Sequence, residues 1–187
     1  MMSMHTKMIK TMRRLCQDRG FTMTEALVTA VIFSFIAGGI YATMVAGDSS
    51  WSHNSIQIEL QQELRKAMNR MIDDLQQSGR SAINDVPADG TWYDEITFYK
   101  TNGVSGASIS WNSDTTNFSL GGTNGEQLLK TEGATTAVVA QDMTSLQIRR
   151  LAAAAGIVEV SLEAEKGGLK SGGTVSDSLD FKVTLRN

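Results

Sequence analysis

The sequence predicts an α+β fold, with one long N-terminal helix packed on an antiparallel β-sheet. Three observations carry this prediction. From Ala26 to Gly47 no residue is charged. From Ser50 to Ser78 neither Pro nor Gly interrupts the chain, and apolar residues recur at steps of three and four. After Pro87 the chain breaks into short runs that alternate apolar and polar residues, separated by Gly, Asn, Ser and Asp.

The first segment, residues 1–20, carries Lys7, Lys10, Arg13, Arg14 and Arg19 against one acid, Asp18. The second, residues 21–47, holds the uncharged run. Its 22 positions from Ala26 make a helix of about 33 Å, long enough for a bilayer core of about 30 Å. Basic residues before the run and Asp48 after it predict a cytoplasmic N-terminus and export of everything beyond about residue 47. A cleaved secretory signal has a shorter apolar region, typically about 7–15 residues. Glu25 stands at the edge of the run, where a carboxylate near hydrocarbon needs a partner or a headgroup position at a helix N-terminus.

The third segment, residues 48–79, continues the helix as an amphipathic one. Ile56, Leu60, Leu64, Ala67, Met68, Met71, Ile72 and Leu75 form one stripe, and Gly79 is the expected stop. The fourth, residues 80–187, is a β-rich head. Expected strands lie at 96–99, 107–111, 118–120, 127–130, 137–140, 146–149, 158–164 and 181–186, in a sheet with one core face that the helix stripe covers.

Several chemistries are excluded. One Cys leaves no disulfide framework, and two His, His5 and His53, leave no His-based metal centre or credible general base. A net charge of −3 excludes a strongly basic nucleic-acid binder. No Gly-rich run ends in Lys-Ser or Lys-Thr, so a phosphate-binding loop is absent. No enzyme is expected and no cofactor. Asp85, Asp89, Asp94 and Glu95 are the one acidic group that offers oxygen ligands for Ca²⁺, without the spacing of a regular calcium loop. Trp92, Tyr93 and Trp111 read as half-buried strand residues or adhesive aromatics, and Asp73-Asp74 and Arg149-Arg150 as exposed charges.

The stretch from Arg19 to Val28, RGFTMTEALV, resembles the type IV prepilin signature. Gly20, Phe21 and Glu25 stand at that family's spacing, while Met23 and Thr24 replace larger aliphatic residues. The resemblance implies cleavage between Gly20 and Phe21 by a prepilin peptidase and N-methylation of Phe21. It implies assembly through Glu25 and the helix, and a pilin-like fold. Implied partners are other pilin or pseudopilin subunits, an inner-membrane assembly platform and membrane lipid, with no nucleic acid. The implied location is the inner membrane, single-pass, and then a periplasmic or extracellular filament. Loss of residues 1–20 removes five basic residues and one acid from 17 and 20, leaving 12 and 19, a net charge of −7.

LRKAMNRMIDDLQQSGR, LLKTEGATTAVVAQDMTSLQIRR and FKVTLRN are similar to W-type minor pilins and J-type minor pseudopilins. Major pilins often carry a C-terminal disulfide loop, whereas the single Cys here, Cys16, lies in the segment to be removed. The expected function is therefore a structural minor pilin that primes assembly or sits at the tip. A type II secretion minor pseudopilin or competence pseudopilus subunit is the alternative within the superfamily, and a single-pass membrane-anchored binding or adhesin domain the alternative outside it.

Overall fold

The computed structural model describes residues 21–105, 108–168 and 173–185. Helix α1, Met23–Leu75, runs for 53 residues without a break at Gly38-Gly39. Seven strands follow: β1 Glu95–Ser105, β2 Ser108–Gly121, β3 Gln127–Glu132, β4 Thr135–Ala140, β5 Met143–Arg150, β6 Ile157–Gly167 and β7 Thr174–Thr184. The architecture is the predicted one, a long apolar N-terminal helix with antiparallel sheets.

The chain divides at Asp48/Ser49 into two compact units. In the first, every described residue is exposed, including Phe33, Phe35, Ile36 and Ile40. Apolar side chains surround the helix on all sides, and the helix is long and apolar enough to cross a membrane. Three of its hydroxyls are satisfied by the helix's own carbonyls. Thr29 Oγ1 donates to Glu25 O (2.7 Å), Ser34 Oγ to Ala30 O (2.8 Å) and Thr43 Oγ1 to Ile40 O (2.8 Å). Such back-bonding hides hydroxyls from an apolar surround.

In the second unit, the stripe Leu60, Leu64, Ala67, Met71 and Leu75 is buried in one core with Ile96, Phe98, Phe118, Leu128, Ile148, Val160 and Leu162. Ile56 and Ile72 flank it, half-buried. Each fully buried aliphatic side chain contributes about 1.5–3 kcal/mol. Polar clamps fix the helix in register. Lys166 Nζ reaches Glu59 Oε1 (2.5 Å) and Asp142 Oδ2 (3.0 Å), and Gln141 N–H donates to Glu63 Oε2 (3.0 Å).

Four details differ from the sequence expectation. The helix ends at Leu75 rather than at Gly79. Gln77 N–H and Ser78 N–H bond three residues back, and Gln77 O accepts from Thr101 N–H of β1 (2.9 Å), which draws the chain off the helix axis. Gly79 is extended (φ −117°), so it is not the helix cap. The strands form two sheets, β1-β2-β3-β4 and β5-β6-β7, rather than one. The candidates at 107–111 and 118–120 merge into the 14-residue β2, and β7 begins at Thr174. The β3–β4 loop is the two-residue Gly133-Ala134, where Gly133 takes φ +58° as a tight hairpin requires.

Candidate assembly site

Thr22 immediately precedes α1, and Glu25 is its third residue. The pair forms a reciprocal cap. Glu25 N–H donates to Thr22 Oγ1 (3.3 Å), while Glu25 Oε2 accepts from Thr22 N–H (3.0 Å) and Thr22 Oγ1 (2.9 Å). Thr-Met-Thr-Glu is thus a capping box, legible as Thr followed three residues on by Glu. The acid that the sequence marked as needing a partner has one within its own first turn. Phe21 precedes the cap with its ring exposed. Gly20, Cys16 and the rest of residues 1–20 lie outside the described residues, so the cleavage position has no geometry here. At Gly38 and Gly39 a Cβ would meet nothing within 4 Å, so no contact within the chain demands glycine there.

The acidic loop residues are put to structural use. Asp85 Oδ1 accepts from Thr97 N–H (2.7 Å). Asp89 accepts from Thr91 N–H (2.8 Å) and Tyr93 OH (3.1 Å), and the Thr91 N–H bond holds its carboxyl below the usual range. Asp94 and Glu95 do not join them, and among the described residues no group of three or more His, Cys, Asp or Glu is placed to hold a metal. His53 is exposed on the helix. Trp92 is exposed rather than half-buried and lies in no strand; the Arg149 guanidinium stands over its ring at 4.3 Å. Beside it is an open cleft of about 320 Å³ whose Arg149, Glu159 and Lys182 are paired (Arg149–Glu159 2.7 Å, Lys182–Glu159 2.6 Å).

Two of the charges expected at the surface are buried. Asp74 is 4% exposed, at the stripe position three after Met71. It closes a ring of alternating charges: Lys130–Asp74 2.8 Å, Asp74–Lys100 3.5 Å, Lys100–Glu132 2.5 Å and Glu132–Lys130 3.1 Å. Arg70 adds a fifth member at 3.3 Å from Asp74. The ring ties the helix end to β1 and β3. Hydrogen bonds from Lys100 and Lys130 hold the Glu132 carboxyl below its usual range. Burial alone would lower Lys100, but Glu132 and Asp74 more than offset it and raise it.

Arg150 is 7% exposed, and among the described residues its guanidinium is held by carbonyls rather than by an acid. Its guanidinium donates to Ala155 O (2.9 and 3.2 Å), Val86 O (3.1 Å) and Arg80 O (3.2 Å), gathering three connecting segments. Burial lowers its affinity for the proton, and the nearby Arg80 adds to this.

Residues 16–41 match the family model of the prokaryotic N-terminal methylation motif, the mark of type IV prepilin-like chains. No curated protein matches the chain. The matched stretch contains Gly20, Phe21, the Thr22–Glu25 cap and residues 26–41 of the apolar run, 16 of its 22 positions. The N-terminus of this protein is therefore prepilin-like, and the motif points to a structural rather than an enzymatic protein, anchored in a membrane by its apolar helix.

Proposed function

We propose that this chain is a structural minor subunit of a type IV pilus. In this reading it is held in the inner membrane with a cytoplasmic N-terminus and cleaved after Gly20. It is then methylated on Phe21 and inserted into the filament through α1, where it primes assembly or occupies the tip. It needs no cofactor, and the energy for assembly comes from other components.

The observation that carries the reading is the match at residues 16–41 laid over a helix whose apolar side chains are exposed on every side. Such a surface needs lipid or neighbouring helices, and the matched motif is the kind that moves a subunit from the first to the second. The Thr22–Glu25 cap supports a resting role for Glu25 in the unassembled subunit. On assembly, the Phe21 amine of an adjacent subunit offers the carboxylate an opposite charge in low dielectric, where the attraction far exceeds its value in water.

The test is incorporation of Glu25→Ala into sheared filaments, with the membrane pool measured in parallel. A normal membrane pool and strongly reduced incorporation are expected. Normal incorporation would refute the role of Glu25. The secretion-system alternative is distinguished by phenotype: loss of twitching in the null mutant supports a pilus, and loss of exoprotein secretion a pseudopilus.

A further inference from the structure

A row of charges crosses the outer face of the second sheet. Arg149 on β5, Glu159 on β6 and Lys182 on β7 are register partners. Glu159 is 8% exposed, although its neighbours Val158 and Val160 are the ones turned into the core. Arg149 Nε donates to its Oε2 (2.7 Å), and Lys182 Nζ meets its Oε1 (2.6 Å). Pairing across strands accounts for that much.

It does not account for what surrounds the row. Glu159 takes the Nε edge of Arg149, and among the described residues neither Nη atom makes a hydrogen bond. The two-pronged end of the guanidinium is therefore fixed in place and open. Such a fork matches the two oxygens of a carboxylate. Trp92 stays 40% exposed while Arg149 lies over its ring at 4.3 Å. The open cleft of about 320 Å³ over these groups also takes in the Ser161 hydroxyl and the Asp180 carboxylate. Its size lies at the lower end of the roughly 300–1,000 Å³ of ligand sites.

We infer that this cleft binds a carboxylated sugar unit of an acidic polysaccharide. The sugar's carboxylate meets the Arg149 fork and Lys182, two cations against the one acid Glu159 that positions them. Its hydroxyls meet Asp180 and Ser161, and its C–H face meets the exposed part of Trp92. A simple anion leaves Trp92 and Asp180 without a role. An acidic peptide docks best on a sheet edge, through backbone bonds, whereas this cleft lies on a sheet face whose backbone groups are turned to neighbouring strands. A second open cleft, about 490 Å³, shares Trp92 and carries Ser145 and Gln147, uncharged groups for the next unit of a chain. The inference goes beyond the pilus reading and does not depend on it, since it concerns the head alone.

The test is titration calorimetry of the full chain in detergent with oligogalacturonate, its carboxyl-reduced neutral counterpart and polyglutamate. Oligogalacturonate is expected to bind at least about tenfold more tightly than either of the others. Arg149→Lys keeps the charge but loses the fork, and should weaken binding at least about fivefold. Trp92→Ala should weaken it about three- to tenfold, while Trp51→Ala, an exposed tryptophan on α1, should not change it. Should Arg149→Lys lower the thermal midpoint, Lys182→Ala decides, because that side chain is 70% exposed; a loss of at least about threefold is expected. Failure of oligogalacturonate to bind, equal binding of the neutral oligomer, tighter binding of polyglutamate, or wild-type affinity in Trp92→Ala would each overturn the inference and leave the proposed function standing.

Discussion

The two halves of α1 share one helical repeat and solve opposite problems. Between Ala26 and Gly47 apolar residues lie all round the helix and are exposed throughout. Between Leu60 and Leu75 they are confined to one face, where Leu60, Leu64, Ala67, Met71 and Leu75 are 2% exposed or less and Met68 and Ile72 are half-buried. The two sheets share one core with that stripe, so the second pattern is satisfied within the chain. The first is not, whatever the head does. The difference separates residues that hold the fold from residues that need lipid or another helix around them, and substitutions on the two sides should fail in different assays.

The largest expected effect lies on the fold side. Arg150→Met leaves three connecting-segment carbonyls without their donor. Each loss costs roughly 1–3 kcal/mol before water recovers part of it, so a total of about 3–5 kcal/mol is expected in chemical unfolding of the detergent-solubilised chain. Membrane insertion should be unchanged.

Next, Met71→Ala empties a core position and should cost about 2–5 kcal/mol. Ile36→Ala, an equally apolar site in the uncharged half, should move head stability by less than about 0.5 kcal/mol. Equal effects from both would erase the distinction between the halves.

A smaller effect comes from pH. The Glu132 carboxyl is held below its ordinary value by Lys100 and Lys130, so its contribution is present above the unfolded carboxylate range and disappears as pH falls through its lowered folded value. Lys100 is raised, so its contribution is complete below the ordinary lysine range and disappears as pH rises through its folded value. The thermal midpoint of the head should therefore be flat around neutrality and fall at both extremes. Glu132→Gln should flatten the acid limb, and an unchanged acid limb would show that the ring does not govern it.

The smallest effect belongs to the helix start. Thr22→Val removes the reciprocal cap and should cost about 1 kcal/mol locally. Faster amide exchange over residues 23–27, with no change in the head, would register it. Thr22→Ser should restore the wild-type rate.

Most of this comparison was readable before the structure, because it rests on periodicity. The uncharged run, the stripe from Ile56 to Leu75 and the alternation in β6 all express local repeats. Long-range partners were not readable. Asp74, Lys100, Lys130 and Glu132 come from three elements, and no local pattern joins them into a ring. A fainter signal was present at single positions. Asp74 falls in the apolar stripe, Lys130 follows Leu128 on the inward face, and Arg150 follows Leu146 and Ile148 at the next inward step. A charge in a core-facing register is a buried pair or a carbonyl anchor far more readily than a solvated one. The division into two sheets had no such signal, since alternation specifies a face and not a neighbour. At the candidate site, the Thr22–Glu25 spacing spelled out a capping box, while the apolar run beside it drew attention to Glu25 as an acid awaiting a partner.

The most direct test of the assembling-subunit account is the intact mass of the membrane-extracted protein from hosts with and without prepilin peptidase. With the enzyme, a chain beginning at Phe21 and one methyl group heavier than the bare polypeptide is expected; without it, residues 1–20 should remain. A chain that keeps residues 1–20 in both hosts would contradict the account and leave a singly anchored envelope protein.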